Sequence, residues 1–406
     1  MTTLTRSFTD IRAALLAREE VALVDLREEA PFAEGHPLFA ANIPLSKLEL
    51  EVLSRIPRRD TAITLYDNGE GLVQPALARL VELGYSDVKS LEGGLRGWRD
   101  AGGELFIDVN VPSKAFGELV EHHRHTPSLA AEDVKQLLDS KADVVVLDAR
   151  RFDEYQTMSI PTGVSVPGAE LVLRARELAP DPKTRIIVNC AGRTRSIIGT
   201  QSLVNAGLPN PVSALRNGTI GWLLAGQTLD QGQARRFPAV SDTTLEIARA
   251  DARKVADTAG VKRATRRDLQ TWQSDQTRTT YLFDVRTPEE FEAGHLPGAR
   301  STPGGQLVQE TDHYASVRGA RIALVDDDGV RANMSASWLA QLGWEVFVLD
   351  DLTLRDFSET GVWHAPIPTP WQVEEISADT VRQWQQHAGV AVLDFTASAN
   401  YVKQHI

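Results

Sequence analysis

Residues 144–150 read VVVLDAR, an unbroken β-branched run that ends in an aspartate and, two residues on, an arginine. Four or more consecutive Val/Ile/Leu residues suit a strand buried on both faces, as in a parallel sheet covered by helices. The same signature returns as VALVDLR with Asp25, YLFDVR with Asp284 and VAVLDF with Asp394. The aspartates are 123, 136 and 110 residues apart, spacings that fit domains rather than solenoid repeats. Eleven residues after three of them stands a histidine, His36, His295 and His405, while the second copy has Ser159 there.

A second landmark falls 42 residues after the aspartate in each complete copy: Asp67 in AITLYDNGEG, Cys190 in RIIVNCAGRT and Asp326 in RIALVDDDGV. Seventeen residues further on comes a glycine, Gly84, Gly207 or Gly343. Glycine at the end of a helix-like stretch fits a C-cap with positive φ before the next strand. Equal offsets in three copies make the chain a tandem array. Strands such as 143–148, 185–189 and 212–216 alternate with amphipathic stretches, so each copy is expected to be a small α/β unit, a parallel sheet with helices on both faces.

The expected domains are 1–112, 128–230 and 262–366, with 373–406 as an incomplete start of a fourth. That fourth copy has room for a helix and one strand, which suggests a piece of a chain roughly a hundred residues longer. The connectors 110–128 and 228–265 are polar, and the second has helical character. His122, His123 and His125 in the first are read as a solvated linker, with no metal site expected.

The chain has 406 residues with 43 Lys+Arg against 55 Asp+Glu, a net charge of −12. That balance argues against nucleic-acid or anionic-membrane partners. No apolar run reaches the ~20 residues of a membrane span, and the first residues lack a signal-peptide pattern. A single cysteine, Cys190, excludes an internal disulfide and a cysteine zinc cluster. By default these features point to the cytoplasm.

Residues Cys190, Ala191, Gly192, Arg193, Thr194, Arg195 and Ser196 lie between a strand and a helix. Gly192 is expected to allow a tight turn in which successive backbone N–H groups converge as an anion-binding nest. Those dipoles, with Arg193 and Arg195, favour a thiolate at Cys190 and an oxyanion beside it. Asp148 and Arg150 are read as structural, and Trp222 as packing the last helix. In the first and third copies a carboxylate stands where the thiol would be, so both are expected to be inactive, with Asp67 and Asp326 serving as caps.

The Asp-x-Arg strand ends, FEAGHLPGAR (291–300), CAGRTRS (190–196) and the Gly-x-x-Gly-Trp endings GLRGW (94–98) and GTIGW (218–222) together resemble rhodanese domains. The resemblance implies tandem rhodanese-like modules and a thiosulfate sulfurtransferase working through a Cys190 persulfide by ping-pong transfer to cyanide or a thiol. Cys190 would be catalytic, the loop from Ala191 to Ser196 would bind substrate, and no cofactor is implied. Partners would be a small anionic sulfur donor, mercaptopyruvate being another candidate, and a thiophilic acceptor that could be a protein. The alternative is a scaffold or sulfur-carrier module with little turnover. Phosphatases related in fold place an arginine six residues after the cysteine, whereas here Arg195 follows by five and position 196 is serine.

Overall fold

Ile186, Ile187 and Val188 are wholly buried, as a central strand covered on both faces must be. The structure is a computed structural model that describes residues 5–368, 373–387, 389–396 and 398–406. It contains three five-stranded sheets, all parallel, with the same strand order. The first comprises β1 (Thr5–Arg6), β2 (Ala22–Asp25), β3 (Ala40–Asn42), β4 (Ile63–Tyr66) and β5 (Val88–Leu91), ordered β1-β5-β4-β2-β3. The second runs through β6 (Ser128–Leu129), β7 (Val144–Asp148), β8 (Val164–Ser165), β9 (Arg185–Asn189) and β10 (Val212–Leu215). β11 (Lys262–Ala264), β12 (Thr280–Asp284), β13 (Arg300–Ser301), β14 (Arg321–Val325) and β15 (Glu345–Leu349) form the third.

The sequence suggests three strands per copy; the two edge strands of each sheet are only two or three residues long, too short to leave a periodic signal. In each sheet the middle strand (β4, β9 or β14) leads into the loop at the 42-residue landmark. Ligands bind at the carboxyl ends of such strands in open parallel sheets. The helices that matter to this loop are α1 (Val73–Glu82), α2 (Val111–Arg124), α3 (Phe152–Thr157), α4 (Thr194–Asn205), α5 (Gly218–Leu224), α6 (Asp242–Thr258) and α7 (Arg331–Gln341). Gly84, Gly207 and Gly343 follow α1, α4 and α7 with φ of 88°, 70° and 86°, the left-handed caps expected of them.

Residues 1–366 form one compact unit. One apolar core runs from Ile63 and Leu65 of the first sheet into Phe283, Ile322 and Leu324 of the third. Across that junction Tyr281 Oη donates to the Arg55 carbonyl at 2.6 Å, and Arg55 Nε donates to Ser316 Oγ at 3.0 Å. The second copy packs against the third through α6, whose Ala248, Ala252 and Val255 join its core, and through Trp338 Nε1, which donates to Ser202 Oγ at 2.9 Å. The polar segment 110–128 is not a loose linker: it forms α2, which packs against α4.

Residues 367–406 form a second unit, with helices Ala378–Trp384 and Ser398–Lys403. The expected strand at 390–395 does not form; Leu393 and Phe395 are exposed, with no paired strand among the described residues. A strand without a partner leaves its amides unsatisfied. His405 stacks on Tyr401 at 4.0 Å, as His36 does on Phe32 and His295 on Phe291, both at 3.8 Å. The repeated histidine is therefore a packing element.

Candidate active site

Cys190 follows β9 and is 2% exposed. The amino end of α5 grips the loop from one side. Thr219 N donates to the Cys190 carbonyl at 2.9 Å, and Ile220 N to that of Ala191 at 3.1 Å. With these carbonyls turned to α5, the amides of Ala191, Gly192, Arg193, Thr194, Arg195 and Ser196 find no acceptor among the described residues. Thr194 to Ser196 open α4, where N–H groups are orphaned by helix geometry.

Gly192, expected to permit the turn, does not adopt positive φ, and a Cβ there would meet nothing within 4 Å. The glycine the loop depends on is Gly218, with φ of 54° and a built Cβ only 2.2 Å from the Cys190 carbonyl oxygen. Gly192→Ala is expected to leave the melting temperature essentially unchanged. Gly218→Ala should lower it, at a cost of roughly 1–3 kcal/mol. A thermal melt of each variant checks the contrast.

In the other copies several of the equivalent amides are already occupied. Asp67 accepts from Gly69 N at 3.0 Å and from Leu72 N at 2.6 Å. Asp326 accepts from Gly329 N at 3.1 Å and from Ala332 N at 2.8 Å. Asp328 takes Val330 N at 2.6 Å and Arg331 N at 3.1 Å. Burial, then the charge of Asp328, pushes the Asp326 carboxyl well above its usual range. The first and third loops thus carry carboxyl groups of their own chain in the nest. Only the second leaves it open.

Arg195 lies against Glu154 of α3 in a two-pronged pair, Nη1 to Oε2 at 2.7 Å and Nη2 to Oε1 at 2.8 Å. Burial works against the guanidinium charge, but hydrogen bonding to Glu154, its charge and that of Cys190 more than offset it, so the Arg195 pKa stands above normal. Glu154 is held below normal: Arg195 outweighs the burial that would raise it. The third copy repeats the pair with Arg331 and Glu290, Nη2 to Oε1 at 3.1 Å. In the first copy the matching positions are Leu72 and Pro31, so both partners are absent together.

Burial would raise the Glu290 carboxyl, but Arg331 and Thr287 outweigh it and bring the pKa down to about 2. A folded pKa below the unfolded value of ~4.3 stabilises the fold above that value, and the stabilisation disappears as pH falls towards 2. Glu290→Gln is therefore expected to lower stability at pH 6 and to cost much less near pH 2.5, read by urea unfolding at both pH values.

Arg193 departs from expectation. It turns away from the loop's interior to α2, where Nε meets Glu118 Oε1 at 2.7 Å, Nη2 meets Glu118 Oε2 at 2.8 Å, and Nη2 also pairs with Glu121. The helices approach closely because Gly117 faces Thr194; a Cβ at Gly117 would lie 3.1 Å from Thr194 Cγ2. The two carboxylates then compete for the nearest cation. Arg193→Gln is expected to lower kcat/KM for an anionic donor by no more than about threefold, as steady-state kinetics would read it.

Asp148 and Arg150 are buried and joined, Nε to Oδ1 at 2.9 Å and Nη2 to Oδ2 at 2.7 Å, and Arg150 also donates to the Met158 carbonyl. Asp25–Arg27 and Asp284–Arg286 repeat this brace. Asn189, beside the cysteine, donates to Asp148 Oδ2 at 2.8 Å, and its own Oδ1 is buried without a partner among the described residues. Trp222 is fully buried, its Nε1 donating to the Thr228 carbonyl at 2.8 Å. The sequence reading missed Glu154, Asn189, Glu118, Glu121 and the role of Gly218. Glu154 had a signal, since Glu154 and Glu290 both stand six residues after their repeat's aspartate.

Among the described residues no cluster of three His, Cys, Asp or Glu is placed to hold a metal ion. No described helix is long and apolar enough to cross a membrane.

Known proteins are similar to this chain. The crystal structure of a thiosulfate sulfurtransferase from Pseudomonas aeruginosa is 71% identical, with a TM-score of 0.96 over 99% of this chain and 77% of its own. A putative sulfur carrier protein of Bacillus subtilis (strain 168), YrkF, is 27% identical over 139 residues, 31% of this chain and 72% of the relative. An uncharacterized Synechocystis protein, slr1261 (strain PCC 6803), is 34% identical over 24% of this chain and 54% of its own. The family model for the rhodanese-like domain matches residues 9–101, 130–225 and 265–351. With that domain three times along its length, the chain belongs to the rhodanese-like family.

Proposed function

We propose that this protein is a sulfurtransferase in which Cys190 carries a sulfane sulfur from thiosulfate to cyanide or a thiol. One observation carries the reading: six consecutive amides beside Cys190 have no acceptor among the described residues, where the two cysteine-free copies hold a carboxylate. A nest that accommodates carboxylates in two copies suits an anionic sulfur donor in the third. The thiosulfate sulfurtransferase of Pseudomonas aeruginosa, similar over nearly the whole chain, supports the same donor.

In the first step the Cys190 thiolate attacks the outer sulfur of thiosulfate. A new S–S bond forms, the bond between outer and inner sulfur breaks, and its electron pair departs with sulfite. The amides from Ala191 to Ser196 and the charge of Arg195 stabilise the anions on either side of that displacement. In the second step cyanide attacks the outer sulfur of the persulfide, leaves as thiocyanate and returns the thiolate. A small thiol or a protein thiol would serve as acceptor in the same way. Neither step needs an added oxidant or reductant.

Asp67 and Asp326 cannot form a persulfide, so the first and third copies take a supporting role. A lone cysteine suits a reducing compartment, and we assign the protein to the cytoplasm. Initial rates at several fixed cyanide concentrations, with thiosulfate varied, should give parallel double-reciprocal lines. Absence of turnover with either acceptor class would favour the carrier or scaffold reading.

A further inference from the structure

Between the first copy, α2 and the third copy lies a cavity of about 310 Å3. Its walls are mainly apolar, with Leu38 and Phe39 from the first copy, Phe116 and Leu119 from α2, and Leu342 and Trp344 from the third. Arg318 enters this lining between two aromatic faces, its guanidinium carbon 4.4 Å from the Phe39 ring centre and 4.2 Å from that of Trp344.

Among the described residues, no acceptor takes its side-chain N–H groups and no carboxylate lies within ion-pair distance. Arg331, by contrast, meets Glu170, Glu290, Asp327 and Asp328. Burial draws the Arg318 pKa down to about 10, with Asp312 offsetting part of that and Arg18 adding to it. Asp312 shares the wall but stays beyond ion-pair distance, and burial raises its carboxyl above the usual value.

Arg318 is half-buried, with its guanidinium flanked by two rings and its N–H edge free to take an anionic acceptor. An inorganic anion would satisfy Arg318 but leave the surrounding walls unfilled, and a neutral apolar molecule would fill them but leave the charge unpaired. We propose that this cavity is a binding site for a small organic anion with an apolar body, such as an aromatic or branched-chain carboxylate, its carboxylate on Arg318 and its body against Phe116, Leu119 and Trp344. The volume lies at the small end of ligand pockets. An occupant would touch α2, the helix whose Glu118 and Glu121 grip Arg193.

The test is calorimetric titration of the whole protein with 4-phenylbutyrate and with its neutral analogue 4-phenylbutanamide. The acid should bind at one site per chain and the amide about tenfold or more weakly. Arg318→Gln should reduce acid binding to the level of the amide. Ala115→Trp should abolish both, since Ala115 is an exposed residue of the cavity wall where a ring can be placed without disturbing the core. Equal binding of acid and amide to the unaltered protein would overturn the proposal. So would acid binding that survives either substitution in a variant that melts normally.

Discussion

Cys190→Ser is expected to reduce thiosulfate:cyanide turnover by roughly three orders of magnitude or more while leaving the fold intact. Cys190 is the only cysteine in the chain, so no other thiol can take over. Cys190→Asp should be as inactive but physically different. It would rebuild the second loop as the first and third are built, with a carboxylate over amides corresponding to those that Asp67 and Asp326 occupy. Hydrogen bonds to a charged acceptor contribute about 1.5–3 kcal/mol. The Asp variant is therefore expected to melt above the Ser variant at neutral pH. If the two melt together, the open-nest account of the second loop is wrong.

Arg195→Met should produce the next largest loss, about a hundredfold in kcat/KM for thiosulfate, together with a lower melting temperature. The guanidinium supplies positive charge near Cys190, and its two-pronged pair with Glu154 fixes where that charge stands. Removing it takes the two-pronged partner from the half-buried Glu154 of α3 and leaves that carboxylate only the looser contact with Arg151, whose side chain is 3.6 Å away. Arg195→Met combined with Glu154→Gln removes both charges. The double variant should regain stability without regaining activity. Recovery of turnover along with the melt would mean that Arg195 acts only as a structural tie.

The sequence carried the repeat and its chemistry further than it carried the spatial arrangement. Offsets of 42 and 17 residues locate the loops and caps because the same turn needs the same residue types each time: a capping or reactive group after the middle strand, and glycine where φ is positive. β8 and β13, two residues each, have too few side chains to show any period. α2 hides in a polar segment because its buried positions are small or isolated, Val111, Ser113, Gly117 and Val120.

The destination of Arg193 was not legible either. Its partners Glu118 and Glu121 precede it by more than seventy residues, and only the packing of α2 on α4 brings them together. Glu154 was legible in principle, through its register with Glu290. A brace formed by residues at equal offsets in two copies, and missing as a unit from another, marks a pair that folds as one element.

The most direct measurement is the mass of the peptide containing Cys190 after incubation with thiosulfate alone, with sulfite measured in the same sample. A gain of one sulfur atom on that peptide, with one equivalent of sulfite released and both lost on adding cyanide or in Cys190→Ser, is the predicted result. An unchanged peptide mass under conditions that support turnover would contradict the account, as would sulfite release that persists in Cys190→Ser.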